Sequence, residues 1–247
     1  ELTDINFSIS DIQKDLKEHP KIKNVLLFGA TGFLGVHLLR ELLLNTDYNI
    51  YCLIRSKNNI NPTKRLKEKI NYYYPTADIS KYINRVTILE GNLLDEHFGL
   101  QDDEYNNLLN TIDVCIHSAA LVKHYGDYNL FHQTNVVSTE KIIEFCNAGH
   151  SKLEYISTIS VSGFGLVDTP IAEFSENNLY IGQNYKDNVY VHSKFEAEYL
   201  IIEACKNTNL VASIYRIGNL SNRYSDGVFQ ENALENSSLN RIIACIN

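Results

Sequence analysis

The sequence predicts an α/β fold built on a doubly wound parallel sheet, and three observations predict it. Short aliphatic or β-branched runs alternate strictly with longer amphipathic ones from residue 24 onward. Alternation of that kind calls for right-handed crossovers and places helices on both faces of the sheet. The 247 residues suit one large domain. With 44% hydrophobic and 21% charged residues the chain has ample side chain for a sizeable core, which excludes disorder as its main state.

Residues 1–23 are polar and weakly periodic, interrupted by Pro20, and read as a linker or lead-in helix; residues 24–247 read as the folded domain. Asn24 to Gly29 is a strand because NVLLFG is a short apolar run closed by glycine, and Phe33 to Leu44 is a helix because its apolar residues recur at spacings of three and four. Asn49 to Arg55 is the second strand, Thr63 to Tyr74 a charge-rich helix, and Arg85 to Glu90 the third strand. Asp113 to Ser118, Leu153 to Ser157 and Val211 to Arg216 are further strands, separated by helices over Leu130 to Ala148 and Tyr190 to Lys206. Two stretches, 162–189 and 217–247, break this rhythm and are expected to supply substrate contacts. In an open parallel sheet the binding crevice lies beyond the C-terminal strand ends.

Twenty-two Lys plus Arg against thirty Asp plus Glu leave a net charge of −8, the wrong sign for a binder of the nucleic-acid backbone. No apolar run approaches the roughly 18 residues of a membrane span, and the N-terminal residues do not resemble an export signal. The expectation is a cytoplasmic protein. Five cysteines, odd in number and lacking CxxC or CxxH spacing, read as small buried hydrophobes in a reducing compartment. His117, His124 and His132 lack partners at metal-ligand spacing, so no metal is expected. The chain opens at Glu1 and contains no Met, which reads as a piece of a longer polypeptide.

The strongest local signal is GATGFLG, Gly29 to Gly35, set between an apolar strand and an amphipathic helix. Gly29 allows a tight turn, Gly32 lets backbone N–H groups approach a pyrophosphate at the positive end of the helix, and Gly35 lets helix and strand pack closely. This is the fingerprint of an NAD(P)-binding Rossmann fold. Twenty residues after Gly35 stands Arg55, in CLIR, where a carboxylate would select NAD. A guanidinium there holds a 2′-phosphate instead, worth roughly 1.5–3 kcal/mol, so the expected cofactor is NADPH. Arg65 reads equally as a second phosphate ligand or as a solvated helix charge. Tyr190 and Lys194 form a YxxxK pair, one helical turn apart on one face. A nearby ammonium lowers a tyrosine pKa toward the working pH, which suits the phenol to protonate an oxygen receiving hydride. At the tip of the preceding strand Ser157, Thr158 and Ser160 compete to donate a second hydrogen bond to that oxygen. Ser118, Ala119 and Ala120 are small enough for ribose and nicotinamide to lie against backbone, and Asn92 of GNLL reaches the adenine edge.

Taken in order, GATGFLG, CLIR, GNLL, HSAALV, TNVVSTEKI, YISTISV, YVHSK and YRIGNL make the chain resemble the extended short-chain dehydrogenase/reductases. More narrowly it resembles the terminal thioester reductase domains of nonribosomal peptide synthetases, with carboxylic acid, aminoadipate and fatty acyl-CoA reductases. The resemblance implies that Gly29, Thr31, Gly32, Phe33, Leu34 and Gly35 cradle the pyrophosphate. It places the 2′-phosphate on Arg55 and Arg65, and the rest of the cofactor against Asn92, Leu93, Ser118, Ala119, Ala120, Tyr190 and Lys194. Thr158, Tyr190 and Lys194 become the catalytic group. Asn92 departs from the family's usual Asp, and a C-terminal substrate subdomain is expected to be largely missing. The implied reaction is NADPH-dependent release of a peptidyl or acyl thioester, held by a phosphopantetheinyl carrier protein, as an aldehyde or further as an alcohol. The rival readings are a nucleotide-sugar epimerase or dehydratase, which prefers an acid at Arg55, and a non-catalytic NADP sensor, which has no need of the Tyr and Lys pair.

Overall fold

A computed structural model describes residues 21–75, 78–165 and 173–246. The linker expected over residues 1–23 therefore lies almost wholly outside the described residues, as do 166–172 of the first irregular stretch. Six strands, β1 (Asn24–Phe28), β2 (Asn49–Ile54), β3 (Val86–Glu90), β4 (Val114–His117), β5 (Lys152–Thr158) and β6 (Ala212–Ile217), form one sheet in the order β3-β2-β1-β4-β5-β6. Every pairing in it is parallel. The order reverses between β1 and β4, and that switch point is where ligands bind in such sheets.

The described helices are α1 (Phe33–Asn45), α2 (Pro62–Tyr73), α3 (Asp102–Thr111), α4 (Tyr128–Phe131), α5 (Ser138–Gly149), α6 (Val189–Asn207) and α7 (Ser237–Ile246). The single helix expected over Leu130 to Ala148 is in fact α4 and α5 joined through a π-helical turn, His132–Val137. The extra residue of a π turn re-aims the side chains that follow it, and such turns gather at functional sites. Helix α3 was not foreseen. Its sequence, DDEYNNLLNT, is mostly polar, and of its residues Leu108 alone is fully buried, so no apolar stripe announces it.

Each central strand is covered on both sides, which is why its apolar run is continuous rather than alternating. Along β1, Val25 and Leu27 pack with Leu39 and Leu43 of α1 and Leu66 of α2. Leu26 and Phe28 pack on the opposite face with Leu108, Ile142, Phe145, Ala197 and Ile201. A third cluster, Leu179, Tyr185, Val191, Phe195 and Ile202, fastens part of the first irregular stretch to α6, with the Tyr185 and Phe195 rings stacked 3.8 Å apart. Cys52, Cys115 and Cys146 are buried as expected; Cys245, near the end of α7, is exposed, against that expectation.

Candidate active site

The glycine turn is built by close approach. Gly29 has φ +91°, and a Cβ there would stand 2.6 Å from the Ala119 nitrogen. Ser118 locks the same corner, its hydroxyl donating to the Phe28 carbonyl at 2.7 Å. A Cβ on Gly35 would fall 2.0 Å from the Gly29 carbonyl oxygen, so α1 can lie on β1 only with glycine at that position. Gly32 is the N-cap of α1, offers no side-chain cap, and is followed by no acid in the first turn. The N–H groups at the start of α1 therefore point outward with the positive end of the helix dipole, a seat for a diphosphate. Phe33 contributes backbone alone, because its ring turns onto His37, Tyr73 and Phe229.

A cavity of about 300 Å³ opens above this turn. Its walls include Gly29, Thr31, Gly32, Arg55, Arg65, Asn92, Leu93, Ser118, Ala119 and Ala120. Gly91, Leu94, Thr134 and Ser138, whose sequence context gives no sign of such a role, complete it together with Leu53 and Ile54. Arg65, read either as a phosphate ligand or as a solvated helix charge, lines this cavity. Its guanidinium donates to the Arg55 carbonyl and reaches Thr31 Oγ1 at 3.5 Å. Burial and then the Arg55 charge both push its pKa down. Among the described residues neither arginine pairs with a carboxylate, so two adjacent cations face a cavity that an anion would relieve. Uncapped helix N–H groups and an unbalanced cation pair fit a phosphorylated dinucleotide. Asn92 lines the cavity while its side chain also braces its own loop: Nδ2 donates to Asp95 Oδ1 at 3.0 Å and Oδ1 accepts the Leu94 N–H at 3.4 Å.

Thr158, Tyr190 and Lys194 do not line that cavity; they cluster where β5 meets α6. Thr158 Oγ1 accepts the Ser160 N–H at 3.2 Å, leaving its own hydrogen to donate. Ser157, a competitor for the role, is buried with its hydroxyl donated to Glu198. Burial pushes the Tyr190 phenol up to about 12, with the Thr158 hydroxyl beside it pulling the other way. The expected lowering by Lys194 is absent. That ammonium, 2% exposed, donates to the Ile156 carbonyl at 2.7 Å and lies 4.1 Å above the Tyr155 ring, turned toward β5 rather than toward the phenol. Burial lowers Lys194 to about 7, and Glu198 partly restores it. Below it His117 is fully buried between the Phe28 and Tyr155 rings, and burial holds it neutral, near 3. Among the described residues no three His, Cys, Asp or Glu converge as metal ligands do.

Two buried groups that sequence reasoning passed over hold the cluster. Asn135, in the π turn next to cavity residue Thr134, exchanges two hydrogen bonds with the Leu121 backbone, at 2.7 and 3.0 Å, and donates to Ser193 Oγ at 2.9 Å. Ser193 precedes Lys194, so Asn135 joins the cavity wall to α6. Glu198, one turn after Lys194 and 0% exposed, receives Arg216 of β6 at 2.7 and 3.0 Å, and so ties α6 across the sheet. TNVVSTEKI contained Asn135, yet an asparagine in an amphipathic helix gives no sign that its face is buried.

A glycine turn at the sheet's switch point, a helix end free for phosphate and a hydroxyl pair beside a buried lysine define a nicotinamide-dinucleotide-binding α/β domain of oxidoreductase type. A family profile described as Male sterility protein, an NAD-binding domain, matches residues 27–245, and the chain belongs to that family. It is 31% identical over 214 residues to one of the linear gramicidin synthase proteins of Brevibacillus parabrevis, covering 85% of this chain and 4% of that protein. Among solved structures it is similar to a thiolation-reductase di-domain from an archaeal non-ribosomal peptide synthetase. There the TM-score is 0.82 and identity 34%, over 99% of this chain and 67% of that one. The aureusimine biosynthetic cluster reductase domain follows with TM-score 0.76 and 29% identity, over 93% and 57%. A UDP-glucuronic acid 4-epimerase from Bacillus cereus is more distant, with TM-score 0.57 and 25% identity, over 78% and 55%. The chain thus spans only a small part of the gramicidin synthase protein it matches.

Proposed function

We propose that this domain uses NADPH to release an acyl or peptidyl thioester, presented by the phosphopantetheine arm of a carrier protein, as an aldehyde. The observation that carries the reading is the neutral, half-buried Tyr190 phenol beside Thr158, at the strand tips and within one helical turn of Lys194. The similarity to the thiolation-reductase di-domain supports a carrier as partner. When bound, the reduced nicotinamide supplies hydride to the thioester carbonyl carbon. Tyr190, kept protonated by burial, gives its proton to the carbonyl oxygen, and Thr158 donates a second hydrogen bond to the same oxygen as charge develops there. Cleavage of the carbon–sulfur bond, with the new hydroxyl proton passing to sulfur, then returns the carrier thiol and leaves the aldehyde, and a proton from solvent restores the Tyr190 phenol. Lys194 steadies the site from below, holding the tip of β5 through the Ile156 carbonyl.

Arg55 and Arg65 support NADPH over NADH, because the unbalanced guanidinium pair gains charge-assisted bonds from a 2′-phosphate and nothing comparable from a ribose hydroxyl. The same pair disfavours the epimerase reading. Five cysteines without a disulfide among them suit the reducing cytoplasm where NADPH is abundant. The test is consumption of NADPH by the intact protein with an acyl-pantetheine thioester, the aldehyde being trapped as its hydrazone. Consumption without thioester dependence would sink the proposal.

A further inference from the structure

His124 lies in the connection between β4 and α4, and the reaction proposed above gives it no task. Two contacts fix it to α6. Its ring stands edge-on to the Tyr190 ring, centroids 5.5 Å apart at 82°. Its Nδ1 lies 3.2 Å from Asn188 Nδ2. Asn188 is the N-cap of α6, and its Oδ1 accepts the N–H groups of Tyr190 and Val191 at 3.0 and 3.1 Å. The cap therefore fixes which way the amide points, since turning its oxygen toward His124 would uncap the helix that bears Tyr190. Asn188 Nδ2 has only hydrogens to offer, so His124 Nδ1 must accept, and the ring must be neutral with its proton on Nε2. An imidazolium carries N–H on both nitrogens and has no acceptor to present.

We propose that His124 is a positioning residue for Tyr190: as an acceptor at Nδ1 it ties the β4–α4 connection to the cap of α6 and braces the phenol edge. The groups facing it from α6 are Asn188 and the Tyr190 phenol. On its own connection Lys123, Tyr125 and Asp127 flank it, and Asp127 already accepts the Asn129 N–H. Asp187, before the cap, accepts from Asn184 Nδ2 at 2.6 Å. The next histidine on α6, His192, stacks on Tyr128 and pairs with Glu196. The other histidine–carboxylate pair among the described residues is His97 with Asp102.

The kinetic arm of the test rests on the proposed reaction, and the spectroscopic arm does not. In the intact protein, His124→Phe, which keeps the ring and loses the acceptor, should lower kcat for thioester reduction about tenfold with KM for NADPH little changed. His124→Asn, which keeps an acceptor near the Nδ1 position, should restore most of that loss. Imidazole ¹⁵N resonances should show the proton on Nε2 at about pH 7.5, and the Tyr190 ring signals should shift in His124→Phe and return toward the wild type in His124→Asn. Equal losses in the two variants, or a proton on Nδ1 at about pH 7.5, would overturn the assignment. If the wild-type protein reduces no acyl thioester, the proposed reaction fails, and the tautomer together with the Tyr190 signals still decides for or against the tie.

Discussion

On the proposed reaction, Tyr190 is useful because it does not ionise. Burial holds its phenol near 12, so the proton is in place when the carbonyl oxygen needs it. Tyr190→Phe should lower kcat by about 10²–10⁴-fold while dinucleotide binding survives, a combination that stopped-flow turnover and fluorescence titration measure separately. Lys194 bears a cost for its position. Its pKa is lowered from 10.5 to about 7, so below pH 7 both folded and unfolded chains carry the ammonium and the fold must bury it. Between pH 7 and 10.5 the unfolded chain binds the proton and the folded chain does not, so stability rises with pH through that window. Urea unfolding at about pH 6 and about pH 10 should show the wild type gaining on the order of 3–5 kcal/mol relative to Lys194→Met. Equal changes in both proteins would contradict the burial account. Arg55→Ala should weaken NADPH roughly 10–100-fold and leave NADH nearly untouched, as isothermal titration with each dinucleotide would report.

At the scale of elements, Gly35 and the Glu198–Arg216 pair set how α1 and α6 sit on the sheet. Gly35→Ala drives a methyl group into the Gly29 carbonyl and should cost about 3 kcal/mol or more in chemical denaturation, taking dinucleotide binding with it. Glu198→Ala leaves Arg216 with an uncompensated, mostly buried charge and should cost about 3–5 kcal/mol, seen as a lowered unfolding midpoint. The strands and the Gly29–Gly35 turn were legible in the sequence because backbone geometry dictates residue type there: apolar runs for strands covered on both sides, glycine where a Cβ would meet a carbonyl. Helix α3 was not legible, since it buries little. Nor was the π turn, because its extra residue leaves the apolar pattern of the surrounding helix almost unchanged.

Across the whole molecule, the sheet order sets β1, β4 and β5 side by side, so motifs more than a hundred residues apart lie at neighbouring strand ends. Position along the chain foretold that the glycine turn and Arg55 would line one cavity and that Thr158, Tyr190 and Lys194 would lie together where β5 meets α6. It did not foretell where side chains turn. Asn92 closes its own loop, Phe33 packs away from the cavity, and Lys194 reaches β5 instead of the phenol. Those outcomes depend on three-dimensional neighbours, as do the ties through Asn135, Asn188 and Glu198, which link segments that the sequence keeps apart. The most direct test of the central claim is a single turnover of the intact protein with acyl-pantetheine thioester and NADPH deuterated at the transferring position. The account predicts one deuterium on the aldehyde carbon, one thiol released per NADPH oxidised, and loss of both in Tyr190→Phe. Aldehyde without deuterium, or undiminished turnover in that variant, would contradict it.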